Sequence, residues 1–135
     1  EKVIKSSNII SLHVPLYDKT WKLIGRSEIT AMQKGTFLVN TSRGGIIDEA
    51  ALHDALFNDH LGGAAVDVFE QEPYTGSLIE LENIVLTPHL GSCSIDCRMR
   101  MEQEAAEEAL RFLDGKPLLR EVPSSEYDYQ TKRVS

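Results

Sequence analysis

Residues 36–70 read TFLVNTSRGGIIDEAALHDALFNDHLGGAAVDVFE, and this stretch decides the fold. It opens with an apolar run, Thr36–Asn40, and closes with another, Ala64–Phe69. Between the two runs, Asp48 is a good N-cap, and residues 48–59 carry apolar side chains at the spacing of a helix. Strands that are continuous apolar runs and alternate with helices are typical of a parallel sheet covered by helices on both faces.

The alternation continues on both sides of this stretch. Two more strands are predicted at Asn8–His13 and Asn83–Thr87, because each is apolar and a proline follows it closely. Gly62 and Gly63 are predicted to end the central helix. The other predicted helices are Ser27–Met32, with Ser27 as its N-cap, and Ser94–Leu113, with Gly115 after its last turn.

Composition places the chain among ordinary globular proteins. Its 135 residues, 41% of them hydrophobic and 26% charged, fit one domain with its own core. A formal net charge of −7 argues against nucleic acid or an anionic membrane as a partner. No apolar run approaches the ~20 residues that span a bilayer, and the chain opens without a signal peptide. Because two cysteines are too few for a disulfide scaffold, a cytoplasmic protein is expected.

Polar, chemically capable residues follow each predicted strand. In parallel α/β sheets, ligands bind beyond the carboxyl ends of the strands. Arg43 offers a planar fork of donors that suits a carboxylate or a carbonyl oxygen. His89 can transfer a proton near neutral pH, and a carboxylate at its other ring nitrogen would fix its tautomer. Glu72 could supply that carboxylate, and Glu70 is its neighbour.

These three residue types suit the reduction of a 2-keto acid. Arg43 would anchor the acid group, and His89 would protonate the developing alkoxide. No side chain can supply the hydride, so the trio implies a nicotinamide cofactor.

Four segments carry a family resemblance, namely residues 11–16 (SLHVPL), 40–49 (NTSRGGIIDE), 63–73 (GAAVDVFEQEP) and 87–92 (TPHLGS). In this order they resemble the D-isomer-specific 2-hydroxyacid dehydrogenases. Residues 74–76 and 98–102 are similar to the phosphoglycerate dehydrogenase branch of that family. The resemblance extends over about residues 3–116. It implies a Rossmann-like fold and the NAD-dependent interconversion of a D-2-hydroxy acid and a 2-keto acid, with phosphoglycerate-type substrates included.

The resemblance also assigns roles to individual positions. Arg43 would bind the substrate carboxylate and keto oxygen, His89 would be the acid–base group, and Glu72 would pair with His89. Asp67 would reach the nicotinamide carboxamide. Arg43 and His89 would also contact the cofactor, which would be lined further by Val14, Pro15, Thr20, Thr41, Ser42 and Gly91. NAD is the expected cofactor, and NADP is not excluded.

One feature of the family is absent from these 135 residues, namely the glycine-rich G-x-G-x-x-G turn with the acidic residue ~20 positions beyond it. Residues 1–116 are therefore predicted to be the C-terminal half of a doubly wound dinucleotide-binding domain, and residues 117–135 a partly disordered tail. Since the chain also lacks an initiating methionine, we expect it to belong to a longer protein. A homo-oligomer, or a companion N-terminal half, is expected, and the isolated chain is expected to be inactive.

Two other functions compete with the enzyme. Corepressors related to this family use the fold as a cofactor-sensing module that binds proteins, and an inactive truncated remnant would keep the same motifs. No metal site is predicted, because Cys93 and Cys97 have no further ligands at a suitable spacing. His13 is interpreted as a packed residue, and His53 and His60 as solvated surface.

Overall fold

The computed structural model describes residues 2–122 and divides the chain into two compact units, Glu1–His89 and Leu90–Ser135. The elements of the first unit are α1 (Lys2–Ser6), β1 (Ile9–Leu12), α2 (Arg26–Ala31), β2 (Thr36–Asn40), α3 (Glu49–Phe57), β3 (Leu61–Val66), a 3₁₀ helix (Ser77–Glu80) and β4 (Ile84–Leu86). The second unit contains α4 (Ile95–Leu113). The predicted domain boundary at residue 116 stays a prediction, and most of the predicted disordered tail lies outside the described residues.

The four strands form one parallel sheet in the order β1-β2-β3-β4. Each strand therefore lies beside the next one along the chain, with a crossover between them. The register pairs Leu12 with Asn40, Asn40 with Val66, and Val66 with Leu86. This confirms the predicted Rossmann-like α/β fold, and it sets the carboxyl ends of all four strands side by side.

The core of the first unit lies between the sheet and its helices. α3 packs on β3, α2 packs on α3, and α1 packs on α2. Buried side chains alternate along β1 and β2, as expected when helices cover one face of the sheet. The largest side chains of this core that are fully buried are Leu38, Ile46, Leu52, Leu56, Leu61 and Leu78.

The opposite face of the sheet is apolar and exposed in the first unit. Ile9, Phe37 and Val85 alternate with the core residues and are 67%, 51% and 62% exposed. Their presence explains why the strands read as continuous apolar runs.

The third strand begins three residues earlier than predicted and ends at Val66. Gly62 and Gly63 are part of this strand, so the prediction that they end the helix was wrong. A Cβ on Gly62 would lie 2.6 Å from the carbonyl oxygen of Gly35, and this close approach of two backbones explains the glycine. The helix ends instead at Phe57, followed by Asp59 in the left-handed conformation (φ 53°).

Two of the predicted helix starts are correct and one is not. Asp48 caps α3 by accepting hydrogen bonds from the backbone N–H groups of Ala50 and Ala51. Ser94 caps α4 in the same way. Helix α2, in contrast, begins at Arg26 rather than after Ser27, because the side chain of Glu28 accepts a hydrogen bond from the N–H of Gly25 and fixes the start there.

The second unit, described by itself, consists of α4 and the segment that follows it. The helix ends at Leu113 as predicted, and Gly115 after it adopts φ +67° and donates its N–H to the carbonyl of Phe112. Among residues 2–122, no helix is both long and apolar enough to cross a membrane.

Candidate active site

The segment that carries Arg43 is built by Asn40, the last residue of β2. The Asn40 side chain is buried and accepts hydrogen bonds from the N–H and the hydroxyl of Ser42, at 3.1 and 2.9 Å. Its amide nitrogen donates to the carbonyl oxygen of Arg43 at 2.9 Å. One buried amide therefore fixes the backbone on both sides of the turn, while the Arg43 side chain is exposed. Sequence analysis identified Arg43 but read Asn40 only as a strand end.

Gly44 brings this turn against the segment that follows β3. A Cβ on Gly44 would overlap the carbonyl group of Phe69 and would lie 2.9 Å from the nitrogen of Glu70. Only glycine permits this approach of two backbones. The contact joins the segment that carries Arg43 to the one that leads to Glu72.

Glu72 and His89 are in direct contact. Oε2 of Glu72 lies 2.9 Å from Nδ1 of His89, while Oε1 accepts a hydrogen bond from the N–H of Phe69 at 3.0 Å. The hydrogen bond with His89, and then the one from Phe69, lower the pKa of Glu72 below its usual value, so Glu72 is a carboxylate at neutral pH. A carboxylate at Nδ1 makes that nitrogen the protonated one and assigns acid–base chemistry to Nε2.

Glu70, the alternative partner, lies elsewhere in the structure. Its carboxylate is 3.7 Å from Nζ of Lys22, and its backbone N–H donates to Glu49. The Glu49 carboxylate that accepts this hydrogen bond is itself partly buried, and burial raises its pKa. The structure thus brings His89 together with the glutamate that sequence analysis preferred.

Asp67 follows β3 directly and is buried at 5% exposure. Its backbone N–H donates to the carbonyl of Asn40 at 3.0 Å, and its Oδ1 accepts a hydrogen bond from the hydroxyl of Thr87 at 2.5 Å. Sequence analysis did not single out Thr87. The sequence feature that could have indicated a role for Thr87 is its position immediately before Pro88 and His89.

A cavity of about 370 Å³ lies at the carboxyl ends of β1 and β2. This volume falls within the range of small-molecule sites. Its lining residues are His13, Val14, Pro15, Thr41, Ser42 and Arg43. The structure therefore brings together four of the predicted cofactor residues with Arg43, and it exposes His13 there instead of packing it.

Thr20 and Gly91 are placed differently. Thr20 is buried and is not a lining residue of this cavity; its hydroxyl donates to the carbonyl of Pro15 at 2.7 Å and accepts from the N–H of Tyr17. It shapes the segment that lines the cavity. Gly91 belongs to the second unit.

The two other histidines singled out from the sequence, His60 and His53, contact neighbouring residues. His60 is half-buried, and its Nε2 lies 2.9 Å from the carbonyl oxygen of Ile29, so its interpretation as solvated surface was wrong. His53 stacks on Phe57. Within residues 2–122, no three His, Cys, Asp or Glu side chains gather closely enough to hold a metal ion.

Comparison with known proteins shows the family of this chain. Residues 1–91 match the family described as D-isomer specific 2-hydroxyacid dehydrogenase, NAD binding domain. The chain belongs to this family, and the matched residues contain the whole first unit.

Curated relatives are similar over most of the chain. A glyoxylate reductase of Korarchaeum cryptofilum is 43% identical over 118 residues, which cover 86% of this chain and 36% of the relative. A D-3-phosphoglycerate dehydrogenase of Bacillus subtilis is 42% identical over 120 residues, which cover 88% of this chain and 23% of the relative. The chain thus spans only about a quarter to a third of these relatives.

A solved structure shows the same fold. The D-isomer specific 2-hydroxyacid dehydrogenase of Xanthobacter autotrophicus, in complex with NADPH and MES, aligns with a TM-score of 0.75 and 32% identity. The alignment covers 88% of this chain and 49% of that chain.

Proposed function

We propose that this chain is the part of an NAD-dependent oxidoreductase that positions a small D-2-hydroxy acid, or its 2-keto acid, for hydride transfer. The observation that carries the proposal is the 2.9 Å contact between Glu72 and His89. An exposed histidine whose Nδ1 is held by a carboxylate is equipped to give and take a proton. Its place beyond the carboxyl ends of the strands is where such folds bind ligands.

Each residue of the trio has one task in this proposal. The guanidinium of Arg43 binds the substrate carboxylate and polarises the keto oxygen. His89 donates a proton to that oxygen in reduction, and removes it from the hydroxyl in oxidation. Glu72 stabilises the imidazolium form of His89 and fixes its tautomer. The nicotinamide, when bound, supplies or accepts the hydride.

The residues of the 370 Å³ cavity fit the nicotinamide end of a dinucleotide. The backbone and small side chains of Val14, Pro15, Thr41 and Ser42 would line it. Asp67 does not line this cavity, and its proposed contact with the carboxamide rests on the resemblance to the family. We propose NAD as the cofactor, and NADP remains open because the chain has no glycine-rich turn with its acidic residue. A homo-oligomer or a companion N-terminal half, and a cytoplasmic location, stay predictions.

The test uses the full-length protein that contains this chain, with NADH and either glyoxylate or a phosphorylated 2-keto acid. We expect His89→Ala to lower kcat by ~10²–10⁴-fold without loss of the fold. His53→Ala is the matched control, since His53 lies on α3, stacked on Phe57, and should leave kcat unchanged. A fully active His89→Ala protein would exclude the acid–base role.

A second variant separates the pair from the histidine alone. Glu72→Gln keeps the shape of the side chain but removes the charge that faces His89. We expect it to lower kcat and alter the pH dependence of kcat/KM. An unchanged pH profile would exclude Glu72 as the partner in catalysis. The described residues offer no observation that favours the corepressor-type module or the inactive remnant.

A further inference from the structure

One residue outside the trio contacts two parts of the site. The hydroxyl of Thr87 donates to Oδ1 of Asp67, while the carbonyl oxygen of Thr87 accepts the N–H of His89 at 3.0 Å. Its own N–H donates to the carbonyl of Val66 and continues the ladder between β3 and β4. Thr87 therefore links a buried carboxylate at the end of β3 to the backbone of the acid–base histidine.

The hydroxyl matters because the Asp67 carboxylate is buried. A buried charged group needs hydrogen-bond donors to replace the water that it has lost. The terminal torsion of an aspartate is broad and roughly two-fold, so the side chain does not by itself fix the plane of its carboxylate. A short hydrogen bond from a β-branched residue, whose own side-chain torsion is stiff, sets that plane.

The backbone of the same segment holds His89 in a conformation that histidine seldom adopts. His89 has φ +57°, in the left-handed region that disfavours residues with a side chain. The hydrogen bond from its N–H to the carbonyl of Thr87 closes the turn at Pro88 and fixes the peptide plane that leads into His89. The side chain of His89 in this turn reaches Glu72.

We propose that Thr87 is a positioning residue for hydride transfer, which orients the Asp67 carboxylate toward the nicotinamide carboxamide while its turn holds His89 against Glu72. This inference rests on the proposed function. It assigns to Thr87 a role in placing the nicotinamide relative to the acid–base group, without contact with the substrate.

The experiment compares Thr87→Val with Thr87→Ser in the full-length protein. Valine keeps the branched shape but removes the donor, whereas serine keeps the donor. We expect Thr87→Val to raise KM for NADH, to raise Kd for NADH measured by calorimetry without substrate, and to lower kcat, each by about 10-fold or more, with KM for the keto acid unchanged. Thr87→Ser should keep all these values near those of the wild type. Thr36→Val is the control, because the hydroxyl of Thr36 likewise donates a hydrogen bond, here to the carbonyl of Ser7, away from the site.

A double-mutant cycle with Asp67→Ala tests the route of the effect. If Thr87 acts through Asp67, Thr87→Val should add little to the KM for NADH once Asp67 is alanine, whereas independent effects would add. Thr87→Ala replaces Thr87→Val in the cycle if the valine variant does not fold. A wild-type protein that reduces keto acids, together with a Thr87→Val protein of unchanged kinetics, would overturn the role of Thr87 alone. A wild-type protein without activity would overturn the proposed function as well.

Discussion

Gly44→Ala is expected to disable the site while leaving the fold largely intact. Gly44 does not adopt a left-handed φ, so alanine at this position has no backbone strain of its own. Its added Cβ would instead overlap the carbonyl group of Phe69 and lie 2.9 Å from the nitrogen of Glu70. The effect of the substitution therefore comes from the contact between two backbone segments.

The size of the effect follows from this geometry. Backbone atoms cannot move aside like the end of a flexible side chain, so one of the two segments must shift by on the order of 1 Å. One segment carries Arg43 and the other leads to Glu72. A misplacement of ~1 Å at a catalytic group can cost about 10²-fold in rate, and overpacking of this kind costs about 1–3 kcal/mol of stability.

The assay is kcat/KM of the full-length protein with NADH and a 2-keto acid, together with Tm. Gly35→Ala is the control, since Gly35 has φ +86° but an added Cβ there would meet no other part of the chain within 4 Å. That variant should lower Tm through backbone strain of about 1–2 kcal/mol and leave kcat/KM unchanged. A folded Gly44→Ala protein with wild-type kcat/KM would refute the reasoning, because the contact with Phe69 would then not position Arg43.

Three further predictions concern Arg43, the N-cap of α3 and the binding of the cofactor. Arg43→Lys should lower kcat/KM by ~10²–10³-fold, because lysine lacks the planar two-point grip on a carboxylate; unchanged steady-state kinetics would make Arg43 structural. Asp48→Ala should lower the free energy of unfolding by about 1 kcal/mol. The bond from the Ala51 N–H lowers the pKa of Asp48, so its stabilisation is present above pH 3.8 and is lost as the pH falls through the lowered pKa. In urea titrations, the difference in the free energy of unfolding between wild type and Asp48→Ala should therefore shrink in acid. Asp48→Asn, which keeps the cap, serves as control. A difference in free energy that does not depend on pH would contradict this prediction. The isolated 135-residue chain should bind NADH more weakly than ~10 µM, because pyrophosphate sites rest on a glycine turn at a helix N-terminus; tighter binding in calorimetry would count against it.

Part of the structure could be predicted from the sequence because its causes are local. Apolar runs, the caps at Asp48 and Ser94, and the glycine after α4 each act within a few residues. The four strands and helices α2, α3 and α4, in their order, therefore followed from the pattern, whereas α1 and the 3₁₀ helix did not. The carboxyl ends of parallel strands meet at one edge of the sheet, so Arg43, Glu72 and His89 could be assigned to that edge before any contact was known.

Other features were decided only by the tertiary structure. The start of β3 depends on Gly62 meeting the backbone of Gly35, 27 positions earlier in the numbering. Glu70 and Glu72 both follow β3, and only packing places the Glu72 carboxylate 2.9 Å from Nδ1 of His89 and the Glu70 carboxylate near Lys22. Thr87 and Asp67, 20 residues apart, are joined by the register of β3 and β4. Sheet register and backbone contact act across the chain rather than along it, and for that reason local residue patterns determined the elements while only the packed structure determined the contacts.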